Sequence, residues 1–287
     1  MKFSLVMATL GRSVEIERLF NSLVNQTYKN FEVIVVDQNE DDRVAKLVEQ
    51  FRDRLEFVYV YSKKGLSRAR NVGLNHIHGD LVAFPDDDCW YHPDVLAHVA
   101  GRFAADPSLR GLTGCSVDER GSPSQGRWAT KPLRVDRYRV WTCATSYTIF
   151  LHREAVDLAG RFDESLGVGS GSRWGAGEEV NYLLKVIGGG VPVEYDPALQ
   201  LYHPEPLQQM DDKAYARTRL YNRGFGRVLR LNDFAAYFVL YLIARPLAGA
   251  ALASLRFDFG RARYYWIAAS QRYLGWQDSV TARGEMA

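Results

Sequence analysis

Continuous apolar runs alternate with helix-spaced apolar positions through the first half of the chain. Phe3 to Ala8 predicts a first strand. From Ser13, a good N-cap, Ile16, Leu19, Phe20 and Leu23 recur at helical spacing, with Glu15 and Glu17 near the positive end of that helix. Phe31 to Asp37 is almost wholly apolar, the pattern of a strand covered on both faces. A charged helix over about Asp42 to Arg52, a strand over Phe57 to Val60, a helix through Leu66 to His76 and the apolar run Leu81 to Phe84 follow. This βαβαβαβ order predicts an α/β fold with a mostly parallel sheet and right-handed crossovers.

Beyond a helix near Pro93 to Ala104 the pattern loosens. Gly121 to Arg139 is rich in Gly, Ser, Pro and Arg and predicts a long loop, a candidate lid. A strand over Ser146 to Leu151 precedes the glycine-rich segment Gly167 to Gly177, and Glu178 to Ile187 predicts a helix. Phe234 to Leu255 is then a run of 22 residues in which Arg245 is the only charge. That length suits a bilayer span. Both flanks are basic, with Arg217, Arg219, Arg223, Arg227 and Arg230 before it and Arg256, Arg261 and Arg263 after it, which disfavours a single crossing. Arg245-Pro246 divides the run into halves too short to span. The expectation is a re-entrant or interfacial helical hairpin on a membrane, with Tyr264, Tyr265, Trp266, Tyr273 and Trp276 at headgroup level. The competing expectation is a buried helix pair that joins two copies as a homo-oligomer. The chain divides linearly into a domain over 1–210, a helical region over 211–280 and a tail over 281–287.

Composition removes several classes. Hydrophobic residues make up 47% of the 287, enough for a sizeable core and too many for a disordered chain. A formal net charge of +2 gives no footprint for nucleic acid. Cys89, Cys115 and Cys143 are odd in number and lack metal-binding spacing, as expected of free thiols in a reducing compartment. The opening apolar run has no small-residue cleavage site behind it, so it reads as a strand and the expected location is cytoplasmic.

The chemistry concentrates at predicted strand ends. Leu81 to Phe84 leads into Pro85-Asp86-Asp87-Asp88, where alternation puts Asp86 and Asp88 on one face and Asp87 on the other. Two hard carboxylates at the edge of an open α/β sheet suit a divalent cation that also holds substrate phosphates. Asp37 ends its strand at the same edge and can accept from a base imide or a ribose hydroxyl. Thr9, Gly11 and Arg12 line the same crevice. In Gly65-Leu66-Ser67-Arg68-Ala69-Arg70-Asn71, the two arginines diverge on a helix, so that one reaches diphosphate and the other faces solvent. Glu178 and Glu179 open a helix, whose positive end keeps a carboxylate base ionised. Before them, Gly175 and Gly177 allow the backbone close to a sugar, and Trp174 offers a stacking face. His203, after a short strand, is a candidate third metal or phosphate contact.

In this order, these segments resemble inverting glycosyltransferases of family 2, over roughly Lys2 to His203. The resemblance implies a GT-A fold, a Rossmann-like, mostly parallel sheet flanked by helices, here followed by the C-terminal helical membrane-associating extension. It implies that Asp37 contacts the nucleoside, that Asp86 and Asp88 form a DxD pair holding Mg²⁺ or Mn²⁺, and that Arg68, Arg70, Asn71 and Asp87 belong to the donor site. Glu179 is implied as general base. The family usually has Glu-Asp where this chain has Glu178-Glu179, which leaves the choice between the two glutamates open. The expected reaction moves a sugar from a nucleotide diphosphate donor to an acceptor hydroxyl, lipid-linked or glycan, in surface glycan assembly at the cytoplasmic face of the cell membrane. The rival expectations are a sugar-1-phosphate nucleotidyltransferase and a non-catalytic glycan- or nucleotide-binding subunit at the membrane.

Overall fold

The computed structural model describes residues 1–204 and 210–279. β1 (Phe3–Thr9) pairs in parallel with β2 (Phe31–Asp37), Thr9 standing opposite Asp37. β2 pairs in parallel with β3 (Phe57–Tyr61), and the other edge of β1 with β4 (Leu81–Ala83). Every residue of β1 and β2 is buried, which accounts for their unbroken apolar runs. Helices α1 (Val14–Val24), α2 (Arg43–Phe51) and α3 (Leu66–Gly73) make the crossovers. Ile16, Leu19, Phe20 and Leu23 of α1 join Val33 and Val35 of β2 in the main core, each contributing about 1.5–3 kcal/mol of burial.

Past β5 (Trp90–Tyr91) and α4 (Val95–Ala105) the sheet becomes mixed. β6 (Gly111–Val117) is separated from β4 by β8 (Ile149–His152), which runs antiparallel to both. Ser146–Thr148, expected as the start of that strand, is a 3₁₀ turn. β7 (Leu133–Arg134) pairs with β9 (Val193–Tyr202), so the end of the expected lid is stitched to the sheet. α5 (Arg153–Ala159) and α6 (Glu178–Gly188) precede β9, which lies parallel to β6. The strand order is β3-β2-β1-β4-β8-β6-β9-β5.

Two compact units result. Residues 1–162 with 182–204 form the first, and 163–181 with 210–279 the second. This corrects the linear boundary at 210, because the glycine-rich segment packs with the C-terminal helices. Gly175 N donates to Leu220 O at 3.1 Å in α7 (Asp212–Leu231). A Cβ on Gly224 of α7 would stand 2.1 Å from Ala176 O, so only glycine permits this approach. The tail over 281–287 lies outside the described residues.

In the second unit α9 (Phe259–Gln277) crosses α7 at reciprocal glycines: a Cβ on Gly226 would meet Arg272 O at 2.1 Å, and one on Gly275 would meet Arg223 O at 2.1 Å. α8 (Ala236–Leu255) is one continuous helix of 20 residues, which corrects the expected hairpin. Pro246 has no N–H for the carbonyl of Leu242, one turn back. Arg272 of α9 supplies the missing donor, its Nη1 lying 2.8 Å from Leu242 O. With a mean hydropathy of 1.7, α8 is long and apolar enough to cross a membrane by length and composition.

Candidate active site

The ends of β1, β2 and β4 gather the polar residues of the first unit. The acid triplet is not extended. Beyond the end of β4 the chain turns, with Asp86 bridging to Ala8 of β1. The turn still separates the acids as alternation predicts. Asp87 faces β1, accepting from Thr9 Oγ1 at 2.7 Å and from Arg12. Asp86 and Asp88 converge instead with His203, at the end of β9. Their ligand atoms all lie within 4.8 Å of one another.

Each acid is held by its neighbours. Asp86 accepts from Arg70 Nη2 at 3.0 Å, and Ser146 Oγ stands 2.9 and 3.0 Å from its two oxygens. Asp88 lies between Arg12 Nη1 at 2.8 Å and His203 Nε2 at 3.1 Å. Burial alone would raise the Asp88 carboxyl, but the hydrogen bond from His203 and the charges of His203 and Arg12 outweigh it and hold it below the usual range. Burial prevails at Asp87, pushing it up to about 6 against Arg12 and Thr9. Burial also disfavours the His203 imidazolium, yet Asp88 and the Pro204 carbonyl bring its net shift upward.

A divalent cation fits this donor set. Two ligands at about 2.1 Å from one ion lie at most about 4.2 Å apart, so the observed group needs only small rotations to close on it. Two carboxylates and an imidazole are ligands that Mn²⁺ accepts readily, with positions left for phosphate or water.

The other candidates divide between ligand-facing and structural positions. Asp37 is buried, with Oδ1 accepting from the Asn39 backbone and side chain at 2.8 and 2.7 Å and Oδ2 accepting from Tyr59 at 2.6 Å. Gly11 N donates to Asn39 Oδ1 at 2.7 Å. Arg68 is exposed and Arg70 buried, the divergence expected of them. Asn71 is drawn into the fold: its amide donates to Phe162 O at 3.0 Å and accepts from Phe162 N at 2.8 Å. Sequence reasoning missed Gln38, Asn39, Tyr59 and Ser146. Gln38 joins two strand-end loops, donating to Thr9 O at 3.2 Å and accepting from Gly65 N at 2.8 Å. An amide pair directly after a strand-end aspartate was the available signal for Gln38 and Asn39; Ser146 carried none.

In the second unit, Glu178 is buried and Glu179 half-buried in the first turn of α6. Tyr221 of α7 lies beside them. Burial first, and then the negative charge of both glutamates, raises its hydroxyl pKa against the pull of Arg217. Trp174 departs from its expected role. It is buried, donates Nε1–H to Asp278 at 2.7 Å and carries the Arg227 guanidinium 4.2 Å from its ring centroid. Gly175 and Gly177 likewise serve helix packing: added Cβ atoms would meet Leu220 Cβ at 2.9 Å and Val228 Cγ2 at 2.8 Å.

Residues 4–156, more than half of the chain, match the family described as Glycosyl transferase family 2. The chain belongs to that family. Among curated relatives of this family 2 protein, glycosyltransferase AglE of Haloferax volcanii is 24% identical over 207 residues, 64% of this chain and 65% of AglE. The GalNAc(5)-diNAcBac-PP-undecaprenol beta-1,3-glucosyltransferase of Campylobacter jejuni is 34% identical over 91 residues, 30% of this chain and 29% of that one. The chain thus spans less than two thirds of these relatives. The fold is that of solved glycosyltransferases. The Pyrobaculum calidifontis mannosyltransferase PcManGT, in complex with GDP-Man and Mn²⁺, superposes with a TM-score of 0.64 at 18% identity, covering 97% of this chain and 88% of that one. S. aureus TarS 1-349 in complex with UDP-GlcNAc gives 0.60 at 18% identity, covering 96% and 92%.

Proposed function

We propose that this family 2 protein transfers a sugar from a nucleotide diphosphate donor to an acceptor hydroxyl with inversion. Asp86, Asp88 and His203 would hold Mg²⁺ or Mn²⁺, and Glu179 would be the base. The observation that carries the reading is the convergence of those three ligands within 4.8 Å at the ends of parallel strands, where open α/β sheets bind ligands. When bound, the cation offsets charge developing on the leaving diphosphate. Arg70 and Ser146 orient Asp86. The acceptor oxygen bonds to the anomeric carbon as the bond to the diphosphate oxygen breaks on the opposite side, and the acceptor proton passes to a carboxylate. Glu179 is favoured for that proton because it is the more accessible of the pair and stands in the first turn of α6.

The acceptor is proposed to be lipid-linked, in surface glycan assembly, with the enzyme on the cytoplasmic face of a membrane. Support comes from the second unit. Tyr237, Leu240, Tyr241, Leu255, Phe257, Phe259 and Trp266 are all exposed, and α8 and α9 carry four arginines against no acidic residue. Apolar side chains beside arginines suit an anionic lipid surface. The polyprenyl-linked glycan in the name of the Campylobacter relative agrees with such an acceptor.

The test is thermal stabilisation by a panel of nucleotide-sugars with Mn²⁺ or with EDTA. A ligand at 100 times its Kd adds about 2.7 kcal/mol. Metal-dependent stabilisation by one of them supports the donor site; none across the panel would refute it. NMR of the product's anomeric proton reads inversion. Flotation with anionic and zwitterionic liposomes tests the membrane assignment, which fails if full-length protein stays at the bottom with both.

A further inference from the structure

Arg12 binds two of the three acids at once. Its Nη1 contacts Asp87 and lies 2.8 Å from Asp88 Oδ2, while His203 takes Asp88 Oδ1. Both oxygens of a candidate metal ligand are therefore engaged, one of them by a full positive charge. A divalent cation between Asp86, Asp88 and His203 would have to share Asp88 with that guanidinium, against like-charge repulsion.

The two arginines of the cluster differ in what they can do about this. The Arg70 side chain is 2% exposed, with its guanidinium 5.6 Å from the Phe162 ring centroid, and it has no room to move. The Arg12 side chain is 39% exposed and stands on the short loop between β1 and α1. A guanidinium there can leave Asp88, rotate toward solvent and grip a diphosphate with its planar fork.

We infer that Arg12 is a resident counter-cation of the metal site: it holds Asp88 until the cation arrives, and transfers to the diphosphate that comes with it. Building on the donor-site reading above, this makes metal and nucleotide binding strongly cooperative. The cation alone must displace Arg12 with nothing to receive it, whereas the cation with a diphosphate gives Arg12 a new anionic partner. Arg12 is a positioning residue in this role, and its signature is in binding, not only in turnover.

Mn²⁺ binding, followed by electron paramagnetic resonance and calorimetry without nucleotide and with UDP or GDP, tests the inference. Wild-type protein should bind Mn²⁺ alone weakly and far more tightly with whichever nucleotide it accepts. Arg12→Met should bind Mn²⁺ alone at least about tenfold more tightly, and the nucleotide at saturating Mn²⁺ at least about tenfold more weakly, so the coupling collapses. Arg12→Lys keeps the charge and should stay near wild type for Mn²⁺ alone. Arg12→Gln, which keeps donors without charge, should follow Arg12→Met and serves if the latter does not fold. Unchanged or weaker binding of Mn²⁺ alone by the two neutral variants overturns the exchange while leaving the donor site intact. If wild-type protein binds neither UDP nor GDP with Mn²⁺, the donor reading itself fails, and the hand-over with it.

Discussion

His203 Nε2 stands 3.1 Å from Asp88 Oδ1 while its Nδ1 lies 2.7 Å from the Pro204 carbonyl, so the imidazole is tethered at both nitrogens. Its ring also stacks on Tyr147, with centroids 4.9 Å apart. A donor from Nδ1 to a backbone carbonyl orients the ring with Nε2 toward the acids, an arrangement common to histidines that bind metals.

His203→Ala should therefore weaken Mn²⁺ binding in the presence of nucleotide by about tenfold or more, with little change in thermal stability. Calorimetry checks this. An unchanged Mn²⁺ affinity would confine the cation to the two aspartates.

Glu179→Gln should lower turnover by about 10² to 10⁴, the usual contribution of a general base, with donor affinity near wild type. Glu178 is buried, and Glu178→Gln should act more on stability than on rate. Steady-state kinetics beside thermal melts separates them, and a larger rate loss in Glu178→Gln would reverse the assignment.

Asn71→Ala should unfold more easily by about 2 kcal/mol or more, since it orphans a buried N–H and a buried carbonyl of Phe162. Urea unfolding reads the loss. Weakened nucleotide binding with full stability would return Asn71 to the donor site.

Arg272→Met should destabilise the helical unit by about 1–3 kcal/mol through the lost donor to Leu242 O. Pro246→Ala gives that carbonyl back its helical N–H, so the same Arg272 change should cost less there. A double-mutant cycle with coupling near zero would mean that Arg272 does not compensate for the proline.

Glu32 is buried among Ser4 Oγ at 2.6 Å, the His78 backbone N–H at 2.8 Å and Lys2 Nζ at 3.1 Å. Burial raises its pKa, but these donors outweigh it and leave the folded carboxyl below the ordinary value. The folded protein thus holds that proton less tightly than the unfolded chain. Its stabilisation is complete above the unfolded pKa of about 4.3 and is lost as pH falls through that value toward the folded one. Urea midpoints between about pH 6 and pH 3 should fall less steeply in Glu32→Gln, which starts about 1.5–3 kcal/mol lower at pH 6. Parallel curves would show that Glu32 contributes nothing to acid unfolding.

What the sequence determined on its own was whatever depends on neighbours along the chain. The unbroken apolar runs of β1 and β2 and the spacing of Ile16, Leu19, Phe20 and Leu23 dictate buried parallel strands and their crossover helix, because period and burial are local properties. Strand ends then locate Thr9, Asp37 and Asp86 at one edge, and the divergence of Arg68 from Arg70 follows from helical geometry. Only tertiary structure decided which partners those residues meet. Asp88 and His203 come together because β9 returns to the sheet more than a hundred residues later. Trp174, Gly175 and Gly177 face α7 rather than a ligand because Gly224 lets that helix close on them, a fit invisible until both segments are in place. Pro246 stays within one helix because Arg272, 26 positions on, replaces a hydrogen bond that local rules count as lost.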